Sequence, residues 1–387
     1  MKVKQLLSCF LLAAALSSCI QEEALNVEAA IDACTGTDVQ FTNTINNNRG
    51  FNIYVNKGAD LSRQRLTFTI PQGATIQLSN PTAGDTGFTR NEDGTYTAVI
   101  DFTNNSHSRQ VTVTSEDQSY SVEYQINIIL MELPTRYHFE RLQNSNEPYH
   151  ILLEEEPVTS DGMLQTLQWC SGNPGYELTK VANTPQEYPT VQADEGYIGK
   201  CVKLQTCSTG SFGAMVGMHI AAGNLFIGSF DLSSALNNAP AATHFGVQFY
   251  KTPSRLTGHY KFKRGEVYTE NGETVSNKQD SFDIYAILYE AEDNSFMLDG
   301  SNALTDPSIV LLARIDQAQA VESDSWTDFD LPFKPQNGKS IDAQKLADGK
   351  YKLGIVFSSS IGGAYFKGAV GSTLYIDEVE LICEDNQ

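Results

Sequence analysis

The sequence predicts an all-β protein, with an N-terminal sandwich of immunoglobulin type followed by a larger jelly-roll sandwich. Three observations carry that prediction. Apolar and polar residues alternate with period two, as in Leu66-Thr67-Phe68-Thr69-Ile70, the pattern of strands with one face in a core. No stretch has the period and length of the crossover helices that a parallel sheet needs. Turn clusters such as Asn47-Asn48-Arg49-Gly50 and Pro71-Gln72-Gly73 divide the chain at short intervals. A length of 387 residues accommodates two or three domains.

The first residues read as a targeting segment. Lys2 and Lys4 precede an apolar run over 6–16, and Leu16-Ser17-Ser18-Cys19 has the form of a lipobox. Residues 1–18 are then a lipoprotein signal peptide, Cys19 carries the lipid, and 19–28 form the tether. The apolar run is too short to span a bilayer. The expected location is therefore the outer membrane, facing the cell exterior, with the membrane touched only through acyl chains. Ile20-Gln21-Glu22-Glu23 resembles a short form of the acidic export signal of surface lipoproteins in Bacteroidota.

Residues 29–132 form the first domain. Strands are expected at 51–55, 66–70, 75–78, 96–102, 110–114 and 121–130, which fits a sandwich of about a hundred residues. No aromatic platform or metal constellation stands out in it, so its expected role is that of a spacer. Leu133-Pro134-Thr135 marks the boundary, and 133–387 form the second domain. Its expected strands are 137–140, 201–206, 213–220, 225–229, 245–250, 258–262, 282–289, 309–315 and 329–333, with a closing pair at 351–357 and 372–383. Alternation in the last strand slips by one residue near Glu378. Helical turns are expected at 233–236 and 342–346. A serine- and glycine-rich loop at 358–371 joins the closing pair, and such loops on a rigid β scaffold often carry function.

Charge narrows the partners. With 26 Lys and Arg against 47 Asp and Glu, the formal charge is −21. That excludes nucleic acid and is compatible with a neutral ligand such as a glycan, although acidity also simply maintains solubility. Beyond Cys19, the cysteines 34, 170, 201, 207 and 383 are odd in number and irregularly spaced. They form neither a disulfide framework nor a zinc pattern, and read as small buried hydrophobes.

A resemblance covers most of the second domain. Trp169-Cys170-Ser171-Gly172-Asn173, Gly199-Lys200-Cys201-Val202-Lys203-Leu204, Leu256-Thr257-Gly258-His259-Tyr260-Lys261-Phe262 and Gly368-Ala369-Val370-Gly371-Ser372-Thr373-Leu374 carry it. In these stretches the chain resembles the lipoprotein family called "putative carbohydrate metabolism domain" of gut Bacteroidota, which implies a role in glycan use. The first domain resembles the Ig-like modules of surface lipoproteins from the same bacteria. Phe139-Glu140 and Tyr375-Ile376-Asp377-Glu378-Val379 further resemble the paired terminal strands of jelly-roll carbohydrate-binding modules. That likeness implies a structural calcium, with Glu140 and Asp377 as its candidate ligands, because oxygen donors suit a hard cation. Two solvent-facing carboxylates are the plainer alternative. No other cofactor is expected.

A sugar site needs aromatic faces for stacking and a few fixed polar groups. The expected groove combines Gln248, Tyr250, Asp283 and Tyr285 with Lys261 or Tyr260 from a neighbouring strand, and Trp169 and Asn173 in a nearby loop. Each of these residues also has an ordinary reading as a sandwich face or core residue. An enzymatic reading takes Asp283 and Glu290 as the carboxylate pair of a glycoside hydrolase. HExxH, GxSxG, P-loop and dinucleotide motifs are absent from the sequence. The leading expectation is therefore non-catalytic capture of a polysaccharide, with other surface lipoproteins as further partners; a hydrolase and an adhesion or assembly subunit that pairs through strand edges are the alternatives.

Overall fold

The computed structural model describes residues 25–45, 49–160, 162–292 and 295–384. The expected signal peptide and the expected lipidation site at Cys19 lie outside the described residues. No helix among the described residues is long and apolar enough to cross a membrane. The chain is nearly all β, as its alternation predicts, and forms two compact units.

The smaller unit comprises 62–127 with two earlier segments, 25–36 and 44–51. One sheet has the order Ala33–Gly36, Gln64–Thr69, Tyr96–Ile100, Thr89–Arg90. Three further strands pair in antiparallel fashion, with Ser108–Thr114 between Thr75–Leu78 and the first half of Ser121–Glu132. Period two sends Leu66, Phe68, Val111, Val113 and Ile126 inward, and all five are fully buried. A buried ion pair ties its loops together. Arg109 Nη2 lies 2.6 Å from Asp85 Oδ2, and the guanidinium also donates to the carbonyls of Asn80 and Asp101. Burial alone would raise the Asp85 carboxyl, but Arg109 and the backbone amides of Thr82 and Asp101 hold it well below the usual carboxylate range.

The larger unit takes 37–43, 52–61 and 128 onward. Its first main sheet runs Thr190–Ala193, Cys201–Gln205, Thr373–Cys383, Pro253–Lys263, Ser323–Pro332, with Arg136–Tyr137 beside Val379 and Glu380. The second runs Asn224–Phe226, Tyr351–Ser358, Asp283–Glu290, Ile309–Arg314, Lys334–Pro335. Their facing sides supply one core. Tyr260 and Phe262 from the first sheet close on Phe282, at ring centroid distances of 4.8 and 4.7 Å. Ile284, Ala286, Leu288, Leu353, Ile355 and Phe357 fill the rest from the second sheet. The expected slip near Glu378 is a bulge: Thr257 faces Glu380 while His259 faces Asp377, and Glu378 has φ 46°.

The two sheets differ on their outer sides. The strands Asp283–Glu290 and Tyr351–Ser358 are buried at every position but the last. A third layer covers them, built on a small sheet of Gly228–Phe230, Thr243–Phe245 and Leu298–Asp299. Phe226, Phe245, Ile287, Tyr289 and Leu298 pack there as a second core. The strand Pro253–Lys263 alternates instead, with its odd-numbered positions from 255 onward partly or fully exposed.

Some expected elements change. The strand anticipated at 213–220 is a helix, Gly210–Met215, followed by the two-residue strand Ile220–Ala221. A short apolar run is ambiguous between the two forms. Gly213 permits the helix, since a Cβ there would stand 2.2 Å from the Thr209 hydroxyl. The strand expected at 245–250 breaks at Gly246, whose φ of 102° suits glycine. Residues 233–236 form turns rather than a helix, whereas Asp342 caps the helix Ala343–Ala347 as expected. All five described cysteines are free thiols.

Candidate functional site

The site lies between the outer side of the second sheet and the layer that covers it. Because Ile284, Ala286 and Leu288 point into the main core, period two turns Asp283 and Tyr285 to the other side. Asp283 starts its strand opposite Ser358, and Tyr285 is paired with Arg314 on the next strand. Arg314 reaches back to Asp283 in a two-pronged contact, Nη2 to Oδ2 at 2.7 Å and Nε to Oδ1 at 3.1 Å. Burial pushes the Asp283 carboxyl up, and the guanidinium pulls against it. Burial likewise holds the Tyr285 phenol well above its ordinary value. A third of the Arg314 side chain stays exposed, at 32%.

Above this pair is a cavity of about 270 Å³. Phe226, Phe245 and Tyr285 give it aromatic walls; Tyr176 and Phe212 come from the helices Asn173–Glu177 and Gly210–Met215. The remaining wall is the serine- and glycine-rich loop, through Ser358, Ser360 and 363–366. Gly363 allows that loop to press on Ala222, whose Cβ would lie 2.4 Å from a Cβ at Gly363. Phe366 lines the cavity in the left-handed region, at φ 56°. A bulky residue held there is strained, and strain of this kind concentrates at binding and catalytic sites.

One carboxylate fixes both ends of the loop. Asp280 Oδ2 accepts from Ser360 Oγ at 2.6 Å, the Ala369 amide at 2.7 Å and Ser372 Oγ at 2.7 Å. The Ser359 and Ser360 hydroxyls are buried against Thr206, and Ser358 Oγ donates to the Ser360 carbonyl. These serines satisfy a turn.

The residues expected to form one groove fall into separate places. Asp283 and Tyr285 meet in the cavity. Gln248 pairs with Lys352 at the other end of the strand from Ser358, about 20 Å away. There Tyr250 packs against Gly58 and Gly349, and its hydroxyl lies 3.5 Å from Gln248 Oε1. Tyr260 is corrected to a core residue, 1% exposed, because its strand turns even-numbered positions inward. Trp169 is core as well, at 2%, packed on Tyr137, Phe139 and Phe357, with Nε1 donating to Glu154. Asn173 is fully buried and serves the cavity indirectly. Its amide exchanges hydrogen bonds with the backbone of Thr190 and so seats the helix that carries Tyr176. Lys261 stands on the open side of the first sheet.

The proposed carboxylate pair does not form. Asp283 and Glu290 are seven residues apart on one strand, roughly 23 Å, and point to opposite sides of the sheet. Hydrolysis by two carboxylates needs about 5–10 Å. Glu290 is instead taken up by Lys339, at 3.2 Å, and by Lys345. The carboxylates expected to hold calcium accept from backbone amides. Glu140 accepts from the Lys200 amide at 2.8 Å, and Asp377 accepts from the amides of Ile198 and Glu378 at 3.0 and 2.9 Å. Both carboxylates hold the turn at 196–200, and among the described residues there is no group of three or more His, Cys, Asp or Glu that could hold a metal ion.

Sequence reasoning missed Arg314 and Phe366. Arg314 had a signal, since a lone cation ends the apolar strand Ile309–Arg314 next to a strand that opens with Asp283. Phe366 had none, because its backbone conformation is imposed by the loop.

The comparisons with known proteins follow the same lines. The family model described as "Putative carbohydrate metabolism domain" matches residues 138–382. A crystal structure described as a putative glycoside hydrolase from Bacteroides thetaiotaomicron VPI-5482 is 44% identical, with a TM-score of 0.72, over 95% of this chain and 100% of that one. A second, described in the same words and from Bacteroides vulgatus ATCC 8482, is also 44% identical, with a TM-score of 0.60, over 66% of this chain and 100% of that one. No curated protein matches the chain.

Proposed function

Starting from a chain that belongs to the "putative carbohydrate metabolism domain" family, we propose that it captures glycan without cleaving it, taking a terminal sugar unit into the cavity above Asp283 and Arg314. The observation that carries this reading is the cavity itself. About 270 Å³ of space has aromatic walls and a polar floor of one bidentate ion pair. Apolar ring faces accept the C–H faces of a pyranose, and the exposed part of Arg314 with Ser358 and Asn224 meets its hydroxyls. A cavity of this size has room for one sugar unit. Asp283 acts as the partner that holds Arg314 in place. We further propose that the protein is lipidated at Cys19 and displayed on the outer membrane, with the smaller unit as a spacer.

A glycoside hydrolase is the second reading, favoured by the descriptions of the two 44% identical structures. The two readings separate in one experiment. The full-length protein is tested against a panel of polysaccharides by affinity electrophoresis, with reducing-end release assayed in parallel. Capture predicts retardation by a particular glycan, no new reducing ends, and loss of retardation in Ala364→Trp, which fills the cavity mouth from an exposed loop position. Turnover that disappears in Asp283→Asn while retardation persists establishes the hydrolase instead. Retardation that survives both Ala364→Trp and Arg314→Ala removes the cavity from the argument.

A further inference from the structure

The open side of the first main sheet carries a second set of aromatic and charged side chains, distinct from the cavity. The register places Lys203 beside Tyr375, and Tyr375 beside Lys261, on three adjacent strands. The fourth strand is irregular opposite Lys261, where its register slips between Thr327 and Ser323, and Trp326 rises at that point. A row of cation, ring, cation, ring thus crosses four strands. Lys261 Nζ stands 4.6 Å from the Trp326 centroid and 4.7 Å from the Tyr375 centroid, held between the two rings. Tyr197 stacks on His259 at 3.7 Å and meets Trp326 edge-on at 6.3 Å, extending the aromatic surface.

Beside the row is an open groove of about 320 Å³, whose floor includes Gln205, Lys263 and Thr373. Among the described residues, no carboxylate forms an ion pair with Lys203, Lys261 or Lys263, although the protein has 47 acidic residues to offer. Glu195 and Asp324 line the rim, both exposed. These three ammonium groups lack a carboxylate partner, although Lys203 Nζ lies 3.3 Å from Gln205 Oε1, and they outnumber the two rim carboxylates, a local positive excess on a protein with net charge −21. The remote negative charge does not cancel it, because screening at physiological ionic strength acts within about 8 Å.

We propose that this row is a binding site for a uronic-acid polysaccharide, lying across the strands with sugar rings against Trp326 and Tyr375 and carboxylates on Lys203, Lys261 and Lys263. The spacing supports an extended chain: Lys203 and Lys261 are separated by two strand intervals, about 9.5 Å. A cation fixed between two rings meets a charge carried directly on a pyranose ring, whose apolar face then covers the aromatic edge. A groove that runs across strands also fits a linear polymer and not the plane of a bilayer.

Affinity electrophoresis and titration calorimetry of the full-length protein against polygalacturonate test this. Neutral β-glucan, dextran sulfate and anionic phospholipid vesicles serve as the comparison arms. Polygalacturonate is expected to bind best, to weaken as NaCl rises from 50 to 500 mM, and to lose about tenfold in affinity in the double variant Lys203→Ala, Lys261→Ala. Tyr375→Ala is expected to cost a similar factor. Ala364→Trp, which blocks the cavity on the other sheet, is expected to leave polygalacturonate binding unchanged, so the two sites succeed or fail separately. No polygalacturonate binding at low salt overturns the proposal. So does equal binding to neutral glucan, tighter binding to dextran sulfate or to the vesicles, or full affinity in the lysine double variant.

Discussion

The two main sheets of the larger unit have one inner core in common and opposite fates outside it. The strand Asp283–Glu290 is buried on both sides, while Pro253–Lys263 keeps one side in water. The first has to accept a covering layer, and the cavity is the space that layer leaves over Asp283 and Arg314. The second needs no cover, so its outer side can present rings and ammonium groups directly. A sandwich of this kind offers two surfaces of different geometry, a cavity beneath a covering layer and a groove on a bare sheet. What decides between them is the residue type at alternate strand positions.

The sharpest way to break this comparison is to place the same charge on both outer sides. Ile287 is fully buried beneath the covering layer. Ile287→Lys leaves an ammonium without a partner there and is expected to cost about 4 kcal/mol or more in urea unfolding. Thr257→Lys, on the outer side of the open sheet, is expected to stay within about 0.5 kcal/mol. Equal costs would mean that the covering layer does not seal its sheet.

A smaller effect contrasts the two units through pH. Burial pushes Glu154, in the larger unit, up to about 7, against the amides of His138 and Phe139 and the Trp169 indole that favour its charged form. The folded state then holds this proton more tightly than the unfolded chain. Its contribution is fully present below about pH 4.5 and is lost as pH rises through 7, an expected decline of about 3 kcal/mol that Glu154→Gln should abolish. Asp85, in the smaller unit, has the opposite sign. Its carboxyl is held low, so its stabilisation is present above the ordinary aspartate value and fades as pH falls towards the folded value. Hydrogen exchange resolved by segment is expected to show residues 62–127 loosening in acid while the surroundings of Glu154 tighten. Parallel behaviour of both segments would remove Glu154 as the source.

The least effect concerns the cavity loop alone. Phe366→Gly relieves a left-handed phenylalanine but removes a ring from the wall, so stability is expected to change by less than about 1 kcal/mol. Glycan retardation should fall all the same. If both fall together, Phe366 is part of the core of the loop and its conformation carries no functional information.

Much of this contrast was legible in the residues. Alternation in Leu256 to Phe262 marks a half-buried strand, and the slip near Glu378 marks the bulge. The continuous apolar run from Ile284 to Tyr289 also states that its strand is covered on both sides. Reading Asp283 and Tyr285 as an open groove overlooked that run. Both do reach a cavity, but one beneath a covering layer. Tyr260 and Trp169 were misplaced for a different reason: an aromatic residue at a strand position has the same composition whether it faces water or core, and only the parity of its neighbours decides. Trp326 and Arg314 escaped notice because their partners are distant in sequence. Lys261 and Tyr375 come to Trp326 through strand order, which no local pattern encodes.

The anchoring of the cavity loop has a kinetic corollary. Asp280 grips Ser360, Ala369 and Ser372 together, so the segment between them cannot lift away as a hinged flap without breaking three hydrogen bonds to one buried carboxylate. Passage in and out is left to rotation of individual rings at the mouth, such as Tyr365, on the picosecond-to-nanosecond scale rather than the slower scale of domain opening. A sugar meeting this protein should therefore associate in a single step with no conformational lag, and its dwell time should be set by contacts alone.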